Sequence, residues 1–214
     1  MALKLHVFPP SPRAFKVVAL AAYLGIDYET CIVDFAQGTH KTAEYTRLNP
    51  NQKMPVLEDD GFVLWEANAI LQYLAGKRPE SGVFPADPQK RALVTQWQFW
   101  DLAHWEPACA LVIFERLVKP LFRIGPEDPA KVAEGMEKLA RVAPVLDGQL
   151  ARMRFIVGEE PTVADFSLGA PLSTQPFSRF PLDQYPNIMR WYKSLTELPG
   201  WSKSIVQPRI PAAA

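Results

Sequence analysis

Residues 54–65 read Met-Pro-Val-Leu-Glu-Asp-Asp-Gly-Phe-Val-Leu-Trp. Two short apolar runs flank Asp59-Asp60-Gly61, and that turn chemistry predicts a β-hairpin. Upstream, Leu3, Leu5 and Val7 alternate with Lys4 and His6, which predicts a strand. Pro9-Pro10-Ser11-Pro12 breaks it. Ala14, Val17, Val18, Ala21 and Leu24 then fall at helical spacing, with Gly25 placed as a C-cap. Residues 28–33 are β-branched and alternating, a second strand. Strand–helix–strand at this length implies a right-handed unit with parallel strands. The polar stretch 35–50 leaves room for a short helix near 42–47, and Glu66 to Ala75 reads as a helix. The order is βαβαββα.

Residues 76–89 carry Gly76, Pro79, Gly82, Pro85 and Pro88 without apolar periodicity, as a linker does. Everything beyond reads as helix. Leu93, Trp97, Trp100 and His104 trace one face of a long helix, with a kink expected near Ala103–Pro107. Val132, Met136, Leu139, Ala143, Leu146 and Leu150 form a second stripe. Thr162 and Asp165 have the spacing of a capping pair. Ile188, Trp191, Tyr192 and Leu195 mark a further helix, and residues 211–214 are expected to fray. The fold class is therefore α+β, with an α/β domain at 1–78, a linker at 79–88 and an all-helical domain at 89–214.

Composition narrows the function. A formal net charge of zero provides no basic excess for a nucleic-acid partner. No run reaches the apolar length of a membrane span, and the N-terminus lacks the order of a signal peptide. Cys31 and Cys109 lie far apart in different elements, so reduced thiols and a cytoplasmic protein are expected. The three histidines are scattered and the cysteine spacing matches no zinc motif, so no metal is expected. No phosphate loop or nucleophile elbow is present.

Pro55 precedes a strand. A trans proline suits a strand start, where no N–H is needed. A cis proline would instead turn the Met54 backbone outward, ready to pair with an extended peptide. Ser11 precedes the first helix, either as a plain N-cap or as a hydroxyl donor at the positive end of that helix. Glu66 at the start of a helix complements the dipole or pairs with a cationic group.

The βαβ-then-ββα order is that of the thioredoxin-like fold. The stretch "NPNQKMPVLEDDGFVLWEANAILQYLA" resembles the glutathione-binding core of cytosolic glutathione transferases, with its Pro-Val-Leu strand, hairpin and Glu-Ser helix start. "PTVADFSLG" is similar to the superfamily's N-capping box in the helical domain, and "SPRAFKV" sits where serine-type classes carry their active-site serine. The resemblance spans the chain and is closest to bacterial and plant-like serine-type members.

It implies a transferase that activates the glutathione thiol for attack on a hydrophobic electrophile, with glutathione as co-substrate and no other cofactor. Ser11 would donate to the sulfur. Glu66 would pair with the γ-glutamyl ammonium, and the N–H groups of Ala67 and Asn68 would meet its carboxylate. Lys41, His40 and Lys53 would face the glycine carboxylate, with Met54 and Pro55 along the peptide. Arg13 either adds positive potential at the mouth or is solvated. His104, Trp105 and Ala108 would line the electrophile's site, although a tryptophan stripe equally suits a core. A homodimer is implied. Glutathione-dependent peroxidase or disulfide reductase chemistry, and a non-catalytic binding module, are the alternatives. Ala67 departs from the Glu-Ser pattern and favours the last.

Overall fold

The computed structural model describes residues 3–206 and 208; the 211–214 end lies outside them. Strands β1 (Lys4–Val7), β2 (Glu29–Ile32), β3 (Val56–Asp59) and β4 (Phe62–Trp65) form one sheet in the order β2-β1-β3-β4. β1 and β2 are parallel around helix α1 (Pro12–Tyr23), while β3 runs antiparallel to β1 and to β4. The hairpin forms as expected: Asp60 and Gly61 have φ of 48° and 86°. Positive φ at both central residues matches the right-handed twist of the flanking strands.

Alternation along the strands builds two layers. Leu5, Val7 and Leu57 point to one face, against Val17 and Leu20 of α1 and Ile70, Leu71 and Leu74 of α3 (Ala67–Gly76). Val56 points to the other, beneath α2 (Ala43–Leu48), with Val33 and Tyr45. Glu66 is a correction. It lies outside α3 as its N-cap, with φ of 75°, a conformation that costs a non-glycine residue about 1–3 kcal/mol and clusters at functional sites.

The helical part begins with α4 (Pro88–Trp100), capped by Asp87, whose carboxylate accepts the Lys90 N–H at 2.8 Å. Helix then continues through a π segment at Asp101–Trp105, α5 (Glu106–Ile113), a second π segment at Phe114–Val118 and α6 (Lys119–Phe122). The expected kink takes the form of that first wide turn. Pro107 has no N–H to give to the preceding turn, and a π turn absorbs the break without ending the helix. Along it Asp101 and Trp105 face inward, while Leu102, Ala103 and His104 are exposed.

Helix α7 (Pro129–Leu150) realises the second apolar stripe and also contains Pro144, which the apolar periodicity hides. α7 lies close on α5 because Gly135 has no side chain; a Cβ there would sit 2.7 Å from Val112 Cγ2. Helices α8 (Val163–Gly169), α9 (Gln175–Ser178), α10 (Pro186–Thr196) and α11 (Trp201–Ser204) complete the chain. Trp201 is fully buried and meets Phe15 of α1 edge-on at 4.9 Å, so the last helix is tied to the first.

Candidate active site

The loop between α2 and β3 is held from within. Asn49, almost fully buried, donates its amide to the Lys53 carbonyl at 2.7 Å, and the Tyr45 hydroxyl donates to the same oxygen at 2.9 Å. Burial pushes the Tyr45 phenol up to about 12, so it remains a donor at neutral pH. This fixes the backbone just before Met54-Pro55, and that peptide bond is cis.

Beyond this loop opens a cavity of about 200 Å³ lined by Lys53, Met54, Pro55, Glu66, Ala67 and Asn68 with Arg13, Lys16, Asn49 and Leu102. Six of the residues expected at a glutathione site therefore share one cleft. The start of α3 forms its floor, where the first N–H groups of the helix have no intrahelical partner. The charged side chains of the lining are Arg13, Lys16, Lys53 and Glu66.

Two of these cations are anchored by the helical part. Arg13 sets its Nε and Nη2 at 3.1 and 2.8 Å from one oxygen of Glu106. Lys16 reaches through the core to Asp101 Oδ2 at 3.0 Å and to Asn68 Oδ1 at 3.1 Å. The Asn68 amide donates to the Gln98 carbonyl at 3.2 Å, and the Ser167 hydroxyl stands 3.0 Å from Asn68 Oδ1. Both sides of the Asn68 carboxamide are thus engaged inward.

Ser11 caps α1, its hydroxyl oxygen accepting the Arg13 N–H at 3.2 Å while its own N–H donates to the Phe8 carbonyl at 2.9 Å. That bond uses the oxygen as acceptor and leaves the hydroxyl proton free to donate elsewhere. Ser11 therefore stands beside the cleft at the Arg13 side rather than among its lining residues. Next to it runs a row of half-buried rings: Phe122 against Phe8 at 5.6 Å, Phe8 against Phe35 at 5.6 Å, and Phe35 against His40 at 4.6 Å. His40 Nδ1 is buried without a partner, and Lys41, next to it in the same turn, is exposed. Neither borders the cleft itself.

The expected electrophile site is corrected. Trp105 and Ala108 are buried in the core, and the Trp105 indole donates inward to the Leu168 carbonyl at 2.9 Å. His104 is exposed, packed on Trp100 at 6.0 Å between ring centroids.

Lys16 and Asp101 went unnoticed in the sequence. The available signal was a lysine flanked by the apolar Ala14, Phe15 and Val17, and an acid at the end of a tryptophan stripe. Among the described residues, no group of three metal-ligating side chains is found.

The family model "Glutathione S-transferase, N-terminal domain" matches residues 1–76, and "Glutathione S-transferase, C-terminal domain" matches residues 109–199. Glutathione S-transferase D7 of Drosophila melanogaster is 32% identical over 206 residues, 95% of this chain and 88% of that protein. The structure of a glutathione S-transferase from Pseudomonas fluorescens superposes with a TM-score of 0.85 at 31% identity, covering 97% of this chain and 98% of that one. Glutathione S-transferase-I, solved with lactoylglutathione bound, gives a TM-score of 0.87 at 26% identity over 96% of this chain and 99% of that one. With the cleft at the start of α3 and these full-length likenesses together, the chain belongs to the glutathione S-transferase family.

Proposed function

We infer that this protein is a glutathione transferase: it binds glutathione in the cleft at the start of α3 and activates its thiol for attack on a hydrophobic electrophile. The observation that carries the reading is the convergence of Lys53, Met54, Pro55, Glu66, Ala67 and Asn68 on one cavity at the start of α3. Glutathione brings two carboxylates and one ammonium; with Arg13 and Lys16 paired to Glu106 and Asp101, Lys53, Glu66 and the N–H groups at the start of α3 are what the lining offers them. Glu66 takes the ammonium, the N–H groups at the start of α3 take the γ-glutamyl carboxylate, and Lys53 with His40 and Lys41 serves the glycine end.

Ser11 donates its free hydroxyl proton to the sulfur, which makes this a serine-type member. A thiol with pKa near 8.5 is only about 3% ionised at pH 7, and lowering it by about two units takes about 2.7 kcal/mol of thiolate stabilisation. A hydroxyl donor and the N-terminus of α1 supply it together. The electrophile meets the Phe122–Phe8–Phe35 row beside Ser11, an apolar surface next to the reacting sulfur. Ser11 beside the cleft and Glu66 within it speak against a non-catalytic module.

Cys31 and Cys109 do not line the cleft, so peroxide or disulfide chemistry here would use the thiol of glutathione itself. A panel of aryl halide, hydroperoxide and mixed-disulfide substrates with glutathione decides; turnover of the aryl halide fastest supports the transferase reading. We further divide the chain at 79–88, assign no cofactor beyond the co-substrate, and place the protein in the cytoplasm on the strength of its unpaired cysteines. Exposed Phe62 and Trp65 on β4, with Phe99 and Leu102 on the long helix, supply the apolar surface for a homodimer. No described helix is long and apolar enough to cross a membrane.

A further inference from the structure

Arg13 stands in the first turn of α1 and Glu106 opens α5. They form an ion pair at 2.8 Å, with side chains 43% and 17% exposed. The guanidinium gives its Nε and Nη2 edge to a single oxygen, Glu106 Oε1. A guanidinium is a rigid planar fork of five donors, so Nη1 stands on the far side from Glu106 with both its protons. Among the described residues, Nη1 has no hydrogen-bond partner.

Arg13 borders the cleft beside Leu102, and its backbone N–H donates to Ser11 Oγ at 3.2 Å. Ser11 in turn donates its N–H to the carbonyl of Phe8, the middle ring of the aromatic row. Ser11, Arg13 and the row therefore meet at one end of the cleft. Glu106 neutralises the pair as a unit, so Arg13 offers a local, pre-aimed donor rather than a long-range charge. We propose that Arg13 is a catalytic residue toward the electrophile, and that the class it selects is the conjugated carbonyl compound. The thiolate sulfur bonds to the β-carbon, the C=C electron pair shifts, and the charge collects on the carbonyl oxygen, where Nη1 donates to it. Water then protonates the α-carbon, and the hydroxide left is balanced by the proton the thiol gave up. A donor aimed at the oxygen where charge develops favours the transition state over the substrate. The inference rests on the reading of the cleft as a glutathione site with Ser11 at the sulfur.

Turnover of two phenyl substrates with glutathione tests it. Benzylideneacetone is an enone; benzyl chloride sends its charge away with chloride. Arg13→Met/Glu106→Gln removes both charges together, and neither side chain belongs to the buried core. In that variant kcat/KM for the enone should fall about 10- to 100-fold, and for benzyl chloride by less than about threefold. The pKa of the bound glutathione thiol, read by ultraviolet absorbance, should match the parent's. Equal losses on both substrates, an unchanged enone rate, or a raised bound-thiol pKa would overturn the assignment. So would a parent that turns over benzyl chloride but not the enone. A parent that turns over neither would overturn the transferase reading itself, and this inference with it.

Discussion

The Trp191 indole N–H donates to Asp165 Oδ1 at 2.8 Å, joining α10 to the first turn of α8 inside the core. The same carboxylate accepts the Ile156 N–H at 2.9 Å, the Thr162 N–H at 2.8 Å and the Thr162 hydroxyl at 2.9 Å. Asp165 is fully buried, and its burial raises the carboxyl pKa against the pull of these donors. Asp165→Ala leaves those groups buried and unpaired, so it should destabilise the fold by at least about 3 kcal/mol. Thr162→Ala removes less and should cost about 0.5–2 kcal/mol. Denaturant midpoints measure both, and similar midpoints for the two variants would contradict this assignment.

The raised Asp165 pKa also has a sign in pH. The folded state holds this proton more tightly than the unfolded chain, so the contribution is fully present below the unfolded carboxyl range. It is lost as pH rises through the folded value. Asp165→Asn should therefore flatten the dependence of stability on pH above about 4. A steeper dependence in the variant would contradict it.

Cys109 is completely buried, and burial together with Asp101 and Glu106 drives its pKa well above the ordinary thiol range. Desolvation and Glu29 raise the half-buried Cys31 as well. Thiolate is the reactive form, so Cys109 should resist alkylation at pH 8 until the protein unfolds, with Cys31 reacting slowly first. Rapid labelling of Cys109 in the native protein would show that α5 opens far more readily than its packing suggests.

Much of this organisation was legible in the sequence, because local chemistry and tertiary structure agree there. Asp60-Gly61 supplies the two positive φ values of the hairpin, and Thr162 and Asp165 find each other across one helical turn. The misses have separate causes. Glu66 reads as the first residue of a helix but stands one step outside it as the N-cap, at a positive φ that propensity does not foresee. Trp105 was assigned to the electrophile site by the resemblance, and it is core, as a tryptophan stripe equally allowed. Lys16 was hidden because its partners, Asn68 and Asp101, come from distant elements.

Ala67 lines the cleft and is buried against it. Adding a hydroxyl gives the γ-glutamyl carboxylate a side-chain donor beside the helix N–H groups, so Ala67→Ser should tighten glutathione binding at least about threefold. Unchanged or weaker binding by calorimetry would mean that the site is organised around a different ligand.

Phe99 is 67% exposed on the same stretch of helix as Leu102, and Trp65 is exposed on an edge strand. Analytical ultracentrifugation at micromolar concentration should give a dimer mass for the parent and a shift toward monomer for Phe99→Lys. A monomeric parent would refute the homodimer.

The central claim is that the Ser11 hydroxyl holds the glutathione sulfur as thiolate. The direct measurement is ultraviolet absorbance of the bound thiolate as a function of pH, in the parent and in Ser11→Ala. The parent should show a bound thiol titrating about two units below the free value near 8.5. In Ser11→Ala most of that shift should vanish, with turnover about 10²-fold lower and glutathione affinity much less affected. A bound thiol with the same lowered pKa in both proteins, or no lowered pKa in the parent, would return Ser11 to capping α1 and contradict the mechanism.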